Sequence, residues 1–248
     1  MKPILSSAAI STAEPTFLEW DSQFFGRKIG KLSITHTSAD TLALMLKTAR
    51  QQHYDLLYAF ADVSVSLPHS ALQTHNGQFV DHKIIYEQFL TNVATTTSPS
   101  IRLVTTNDVN GGLYDLAYQS GEYSRFRIDP AIGEADFQRL YRQWVDSSIS
   151  GAVADAVFVW VTDGLITGFI TVEKKGDTGI IGLIASDTQH RGRGTGTALL
   201  NHVKVYAAES GLTRLEVATQ GRNRLACRFY EKNGFTVKSE TNVYHFWL

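Results

Sequence analysis

The 248 residues carry 23 Lys+Arg against 24 Asp+Glu, a formal net charge of −1, with 43% hydrophobic and 11% aromatic side chains. That balance leaves no electrostatic footprint for a nucleic acid, whose phosphates demand a basic face, while the apolar share is ample for a buried core. The single cysteine, Cys227, excludes an internal disulfide and suits a reducing compartment.

The start, Met1-Lys2-Pro3-Ile4-Leu5-Ser6-Ser7-Ala8-Ala9-Ile10, imitates a signal peptide only weakly, because Pro3 and the Ser6-Ser7 pair break its apolar run. No apolar stretch approaches the roughly 20 residues of a membrane span, so a cytoplasmic globular protein is expected. Pattern reading then gives a helix over 39–52, a strand over 54–61, a helix over 68–74, the turn Asn76-Gly77 and a strand over 79–90. Residues 92–100 (Asn-Val-Ala-Thr-Thr-Thr-Ser-Pro-Ser) are small and polar and read as a linker, dividing the chain into 1–95 and 101–248.

Beyond the linker, 126–144 is rich in aromatic and basic residues and holds a helix from Gly133 onward. Strands over 156–161 and 165–172 flank Thr162-Asp163-Gly164, a hairpin signal. A third strand, 179–185, follows the turn Lys175-Gly176-Asp177, and a glycine-rich loop spans 189–196. The helix from about 195 to 210 places Leu199, Leu200, Val203, Tyr206 and Ala207 at helical spacing and stops at Gly211. A strand over 214–219, a helix over 223–232, a stop at Asn233-Gly234 and strands over 235–238 and 244–248 complete the order. The helix–strand–helix–strand order of the first part repeats here, with Asn76-Gly77 matching Asn233-Gly234. Thr35-His36-Thr37-Ser38 stands where the second copy has its glycine loop, so the first copy is not expected to hold a phosphate.

The loop reads Gln189-His190-Arg191-Gly192-Arg193-Gly194-Thr195-Gly196. Alternate glycines let the backbone approach a ligand closely, and a strand handing over to a helix gathers free N–H groups at a positive helix end. That is an anion site, most naturally for a pyrophosphate, with Arg191 and Arg193 adding charge at its rim. A Walker loop would need a lysine before its Ser/Thr, and here Gly196 meets Thr197 directly. A dinucleotide loop would have Gly-x-Gly-x-x-Gly opening an early βαβ unit, and this one is late and spaced Gly-x-Gly-x-Gly. A plain flexible turn is the bland alternative.

Gln189-x-x-Gly192-x-Gly194, set between strand and helix, resembles the acetyl-CoA motif of the GNAT acetyltransferases, and the order of elements over 101–248 resembles that family too. The resemblance implies an α/β fold with a mixed sheet, preceded by a degenerate half-GNAT domain over 1–95 that shapes the acceptor pocket. It implies acetyl-CoA as co-substrate, held by the backbone of Gln189, His190, Arg191, Gly192, Arg193, Gly194, Thr195 and Gly196, by Leu183 and Ile184 on the strand before the loop, and by Asn223. Asn223-x-x-Ala-x-x-Phe-Tyr-x-x-x-Gly-Phe is similar to the family's following helix and implies Tyr230 as the acid that protonates the leaving thiolate. Asn223 equally suits a helix N-cap, an arbitrary helical tyrosine simply packs, and Cys227 reads as structural for want of an activating base. Phe229 departs from the family pattern, standing where a basic residue is expected near the cofactor.

Trp20-Asp21-Ser22-Gln23-Phe24-Phe25-Gly26, Ser124-Arg125-Phe126-Arg127 and Val217-Ala218-Thr219-Gln220-Gly221-Arg222-Asn223 are similar to a branch of the family, the dTDP-fucosamine acetyltransferases. That branch acetylates the 4-amino group of dTDP-4-amino-4,6-dideoxygalactose in enterobacterial common antigen synthesis. The resemblance implies a nucleotide-sugar acceptor whose phosphates meet Arg125 and Arg127 and whose rings stack on Phe126; a solvated basic strand end is the alternative. Asp81, His82 and Glu122 are the ionisable residues near these segments, and none is singled out as base; an ordered water is the alternative. The eight histidines show no metal-ligand spacing, so no metal is expected. A homodimer is among the assemblies left open, as are other amine acceptors and a non-catalytic acetyl-CoA binder.

Overall fold

A computed structural model describes residues 14–34, 38–91, 93 and 98–248. The signal-like start, Thr35-His36-Thr37 and most of the 92–100 stretch lie outside the described residues. In chain order the elements are β1 (Thr16–Phe17), α1 (Glu19–Phe25), β2 (Ile29–Ile34), α2 (Ala39–Gln51), β3 (Leu56–Asp62), α3 (His69–Thr74) and β4 (Gly77–Phe89). There follow β5 (Ile101–Leu103), α4 (Gly111–Ser120), α5 (Arg125–Ile128), α6 (Glu134–Ile149), β6 (Ala156–Thr162) and β7 (Leu165–Lys175). The chain ends with β8 (Thr178–Ser186), α7 (Thr195–Glu209), β9 (Arg214–Gln220), α8 (Arg224–Lys232) and β10 (Thr236–Trp247).

The fold divides into two units, Met1–Val80 with Thr241–Leu248, and Asp81–Glu240. The division falls inside β4 and inside β10, not at the 92–100 stretch. It does so because the two strands expected over 235–238 and 244–248 are one, β10, whose last residues pair with β3 from Thr241↔Asp62 to Trp247↔Leu56. The first unit therefore takes a sheet strand from the far end of the chain.

In that unit the sheet order is β1-β2-β3-β10, with β2 and β3 parallel. Helix α2 bridges them, opened by Ser38, whose Oγ accepts the Thr41 N–H at 3.2 Å. Its inner stripe is Leu42, Met45, Leu46 and Ala49, packed with Leu57, Ala59, Tyr244 and Phe246.

In the second unit the order is β4-β9-β8-β7-β6-β5, antiparallel except at β8–β9. The β6–β7 turn places Asp163 (φ 50°) and Gly164 (φ 79°) in the left-handed region, as a tight hairpin requires. One face of the sheet is covered by α7 and α8, which bury Leu199, Leu200, Val203, Ala207, Cys227 and Tyr230 against Ile170, Val172, Ile181, Leu215 and Val217. The other is covered by α4 and α6, whose Leu113, Leu116, Phe137, Tyr141 and Val145 meet Val157, Val159, Phe169, Leu183 and Ala185. Each large apolar side chain so buried contributes roughly 1.5–3 kcal/mol. Gly211 (φ 77°) ends α7 and Gly234 (φ 87°) follows α8, where the sequence placed the helix stops.

Candidate active site

Strand β8 is interrupted at its centre. Its pairing with β7 steps from Val172↔Ile181 to Ile170↔Ile184, so β8 carries one residue more than β7. This β-bulge re-aims the strand: Ile181 and Ile184 face the α7 side while Leu183 and Ala185 face the α4–α6 side. Thr171 Oγ1 accepts the Leu183 N–H at 2.9 Å, and the Asp187 N–H reaches Thr167 O at 2.9 Å. N–H groups alternate along a strand, so Ile184 turns its N–H away from β7. On that side the parallel pairing with β9 runs only from Thr178↔Arg214 to Ile181↔Val217, after which the two strands part.

The glycine loop leaves β8 at this opening. Asp187 organises its first turn: its carboxylate accepts the Gln189 N–H at 2.9 Å and meets His190 Nδ1 at 2.9 Å, while its carbonyl accepts the His190 N–H at 2.9 Å. Gln189 and His190 thus spend their N–H groups within the loop. Gly192 (φ 77°) and Gly194 (φ 84°) are left-handed, and a Cβ built on either meets nothing within 4 Å. These two glycines are required by conformation, not by space. Gly194 stands at the N-cap position of α7, so the helix's unpaired N–H groups begin there.

Two cavities meet at Tyr230. One, of about 360 Å³, is walled by Ile184, Arg191, Gly196, Asn223, Leu225 and Phe229 among others. The second, of about 200 Å³, lies at the parted strands and is walled by Asp81, Lys83, Arg125, Phe126, Tyr141, Trp144, Leu183 and Thr219 among others. Ser120, Ile184 and Tyr230 belong to both walls. Tyr230 is only 3% exposed and stands on the walls of both cavities. Burial, with Cys227 beside it, raises its pKa far above the ordinary phenol, so it stays protonated. Asp81 is 6% exposed, and burial lifts its carboxyl to about 7 against the opposing pull of Arg125, Lys83 and Arg222. Such a group gains and loses its proton near neutrality.

Residues 120–235 match the model of the acetyltransferase (GNAT) family. Residues 120–235 form a GNAT acetyltransferase domain. Over 138 residues it is 30% identical to the dTDP-fucosamine acetyltransferase of Escherichia coli O6:H1, covering 55% of this chain and 57% of that protein. Over 133 residues it is 25% identical to the spore coat polysaccharide biosynthesis protein SpsD of Bacillus subtilis, covering 54% of this chain and 46% of the relative. The chain thus spans about half the length of these curated relatives. A solved GCN5-related N-acetyltransferase from Kribbella flavida shares the fold, with a TM-score of 0.53 at 13% identity over 88% of this chain and 81% of that one. The mixed sheet with helices on both faces is the GNAT fold.

Within the GNAT domain the residues named from sequence are distributed as follows. Ile184, Arg191, Gly196 and Asn223 share the larger cavity with Tyr230, whereas Leu183 lines the smaller one and its N–H is bound to Thr171. Gln189, Arg193, Gly192 and Gly194 are exposed on the loop, and Thr195 is buried at the first turn of α7. Asn223 is the N-cap of α8, its Oδ1 accepting the Ala226 N–H at 3.1 Å, so both readings of it coexist. Arg125 and Phe126 line the smaller cavity, but the segment is the short helix α5, not a strand end. Arg127 is directed elsewhere: it pairs with Glu134 and lies 5.1 Å over the Phe137 ring.

Of the other ionisable residues, His82 faces Glu240 at 2.7 Å and Glu122 lines the larger cavity, leaving Asp81 as the carboxyl group in the smaller one. Cys227 is buried and its thiol points at the Gln220 carbonyl, 3.7 Å away, which fits a packing role. Phe229 packs over Gly196, whose added Cβ would meet its ring at 3.3 Å. Trp144 and Tyr141 went unread in the sequence because α6 gives them an ordinary amphipathic spacing. Gly182 inside an apolar strand was a legible sign of the bulge. Among the described residues there is no group of three or more His, Cys, Asp and Glu placed to hold a metal, and no helix is long and apolar enough to cross a membrane.

Proposed function

We propose that the chain is an acetyl-CoA-dependent N-acetyltransferase acting on the 4-amino group of a dTDP-linked 4-amino-4,6-dideoxy sugar, in surface-polysaccharide synthesis. The observation carrying this reading is Tyr230, buried and protonated on the walls of two cavities at once, one opening to the glycine loop and the other holding Asp81, Arg125 and Phe126. The curated relatives named for dTDP-fucosamine and for polysaccharide biosynthesis support the choice of acceptor.

In this account the N–H groups of Arg191 to Gly196 and the start of α7 take the cofactor pyrophosphate. The thioester then lies along the larger cavity with its carbonyl at the parted strands, where the Ile184 N–H faces the oxygen on which charge develops. The sugar amine enters from the smaller cavity, its diphosphate near Arg125 and Lys83 and its rings against Phe126 and Trp144. Asp81, ionised near neutrality, takes one proton from the sugar ammonium, directly or through one water. The freed nitrogen lone pair forms the new C–N bond, the C–S bond breaks, the sulfur receives the Tyr230 proton, and the second proton that the nitrogen sheds returns to the tyrosinate through water. Titration of the protein with thymidine diphosphate tests the acceptor class. Saturable binding competed by the nucleotide sugar is the expected outcome, and a lack of binding would point to a peptide or amino-acid amine instead.

A further inference from the structure

Gln119 is the penultimate residue of α4, a helix packed on the sheet face opposite α7. Its Oε1 accepts the N–H of Thr188, 69 residues away, at 3.1 Å. Thr188 follows Asp187, the residue on which the Gln189 and His190 contacts converge. The Gln119 side chain also supports the Asp187 carboxylate, which His190 chiefly holds below the ordinary range. The same side chain stands on the wall of the larger cavity. A chain of contacts therefore runs from a core-packed helix to the root of a loop whose Arg191 to Gly194 stretch is exposed.

A loop with left-handed glycines at 192 and 194 samples many conformations when untethered, and ordering it upon binding costs affinity. We infer that Gln119 is a positioning residue that holds the donor loop in its binding conformation before acetyl-CoA arrives. The inference rests on the reading of that loop as the acetyl-CoA site. Gln119 acts through the loop backbone, so its removal weakens the donor and leaves the transfer step alone.

Two substitutions approach the contact from opposite ends. Gln119→Met keeps length and removes both polar atoms. Thr188→Pro removes the N–H, and proline is tolerated there: Thr188 opens a short 3-10 turn, and Asp187 before it has φ −51° and ψ 135°, the extended region a residue preceding proline prefers. Calorimetry with acetyl-CoA alone is expected to show affinity reduced roughly 5- to 30-fold in Gln119→Met, the worth of one or two hydrogen bonds. The double variant is expected to be no weaker than about twofold below the worse single one, because both remove one contact. In turnover the acetyl-CoA KM rises by the same factor, while kcat with both substrates saturating, and the acceptor KM, stay within about twofold. A folded Gln119→Met variant with wild-type acetyl-CoA affinity, or fully multiplicative losses in the double variant, would overturn the inference. Failure of the wild type itself to bind acetyl-CoA would instead remove the reading beneath it.

Discussion

In the proposed mechanism Tyr230 and Asp81 divide the chemistry, and burial pushes the pKa of both upward. Tyr230→Phe deletes one hydroxyl and almost no volume, so stability and acetyl-CoA affinity are expected to hold. The turnover number is expected to fall on the order of 10²–10⁴-fold, the usual worth of a general acid, with Michaelis constants moving much less. Turnover within a few-fold of wild type, with chemistry rate-limiting, would make Tyr230 a packing residue. Asp81 gives a stability test independent of any substrate. Its folded pKa, about 7, lies above the ordinary 3.8, so the folded state binds its proton more tightly than the unfolded state. The protonated form's contribution is complete below about pH 4 and is lost as pH rises through 7. Asp81→Asn is therefore expected to gain on wild type in denaturant midpoint between pH 5 and pH 8. The gain is at most a few kcal/mol, at about 1.4 kcal/mol per pKa unit, the pull of Arg125, Lys83 and Arg222 being already contained in the value of about 7. A gap that stays constant or shrinks with pH contradicts the assignment.

Among the elements, the loop and its helix concentrate the testable geometry. Gly194→Ala places a Cβ in open space but in a left-handed backbone, at a cost of about 1–2 kcal/mol. On the proposed reading it also disturbs the N–H groups that take the cofactor pyrophosphate, so acetyl-CoA affinity is expected to fall roughly tenfold or more. Gly164→Ala in the β6–β7 turn carries the same strain (φ 79°) and serves as control, with affinity unchanged. Equal binding by both variants would separate the loop from the cofactor.

Helices α7 and α8 were legible because apolar spacing, the starts at Gly194 and Asn223 and the glycine stops agree with one another. Helix α4 was not, since Gly111-Gly112 at its beginning depresses helix propensity, and α5 is too short to show a period. The centre of β10 was lost because Ser239-Glu240-Thr241-Asn242 is polar; pairing to Asp62 and Ala61 carries the strand through it. At the site, Tyr230 and the glycine loop were readable from motif spacing. The Leu183–Thr171 bond, the detachment of Arg127 and the pairing of Asp81 with the smaller cavity depend on contacts distant in sequence, which no local pattern records.

Over the whole molecule, the repeat read in the sequence appears as topology. A parallel pair bridged by a helix, β2-α2-β3, is followed by α3 and β4; β8-α7-β9 is followed by α8 and β10. Yet β10 contributes to the unit of β3, and β4 pairs with β9 from Lys83↔Gln220 to Phe89↔Arg214. Each copy's last strand thus serves the other copy's sheet. A fragment ending near residue 95 would lack the buried Val243, Tyr244 and Phe246 of the first unit, so the activity belongs to tests on the full chain. The most direct of these is thiol release from acetyl-CoA by the intact protein, with and without a dTDP-linked 4-amino-4,6-dideoxy sugar. Release that requires both substrates, and an N-acetylated sugar recovered in equal amount, is the expected result. Acetyl-CoA binding without thiol release in the presence of that sugar, or release supported equally by peptides or free amino acids, would contradict it.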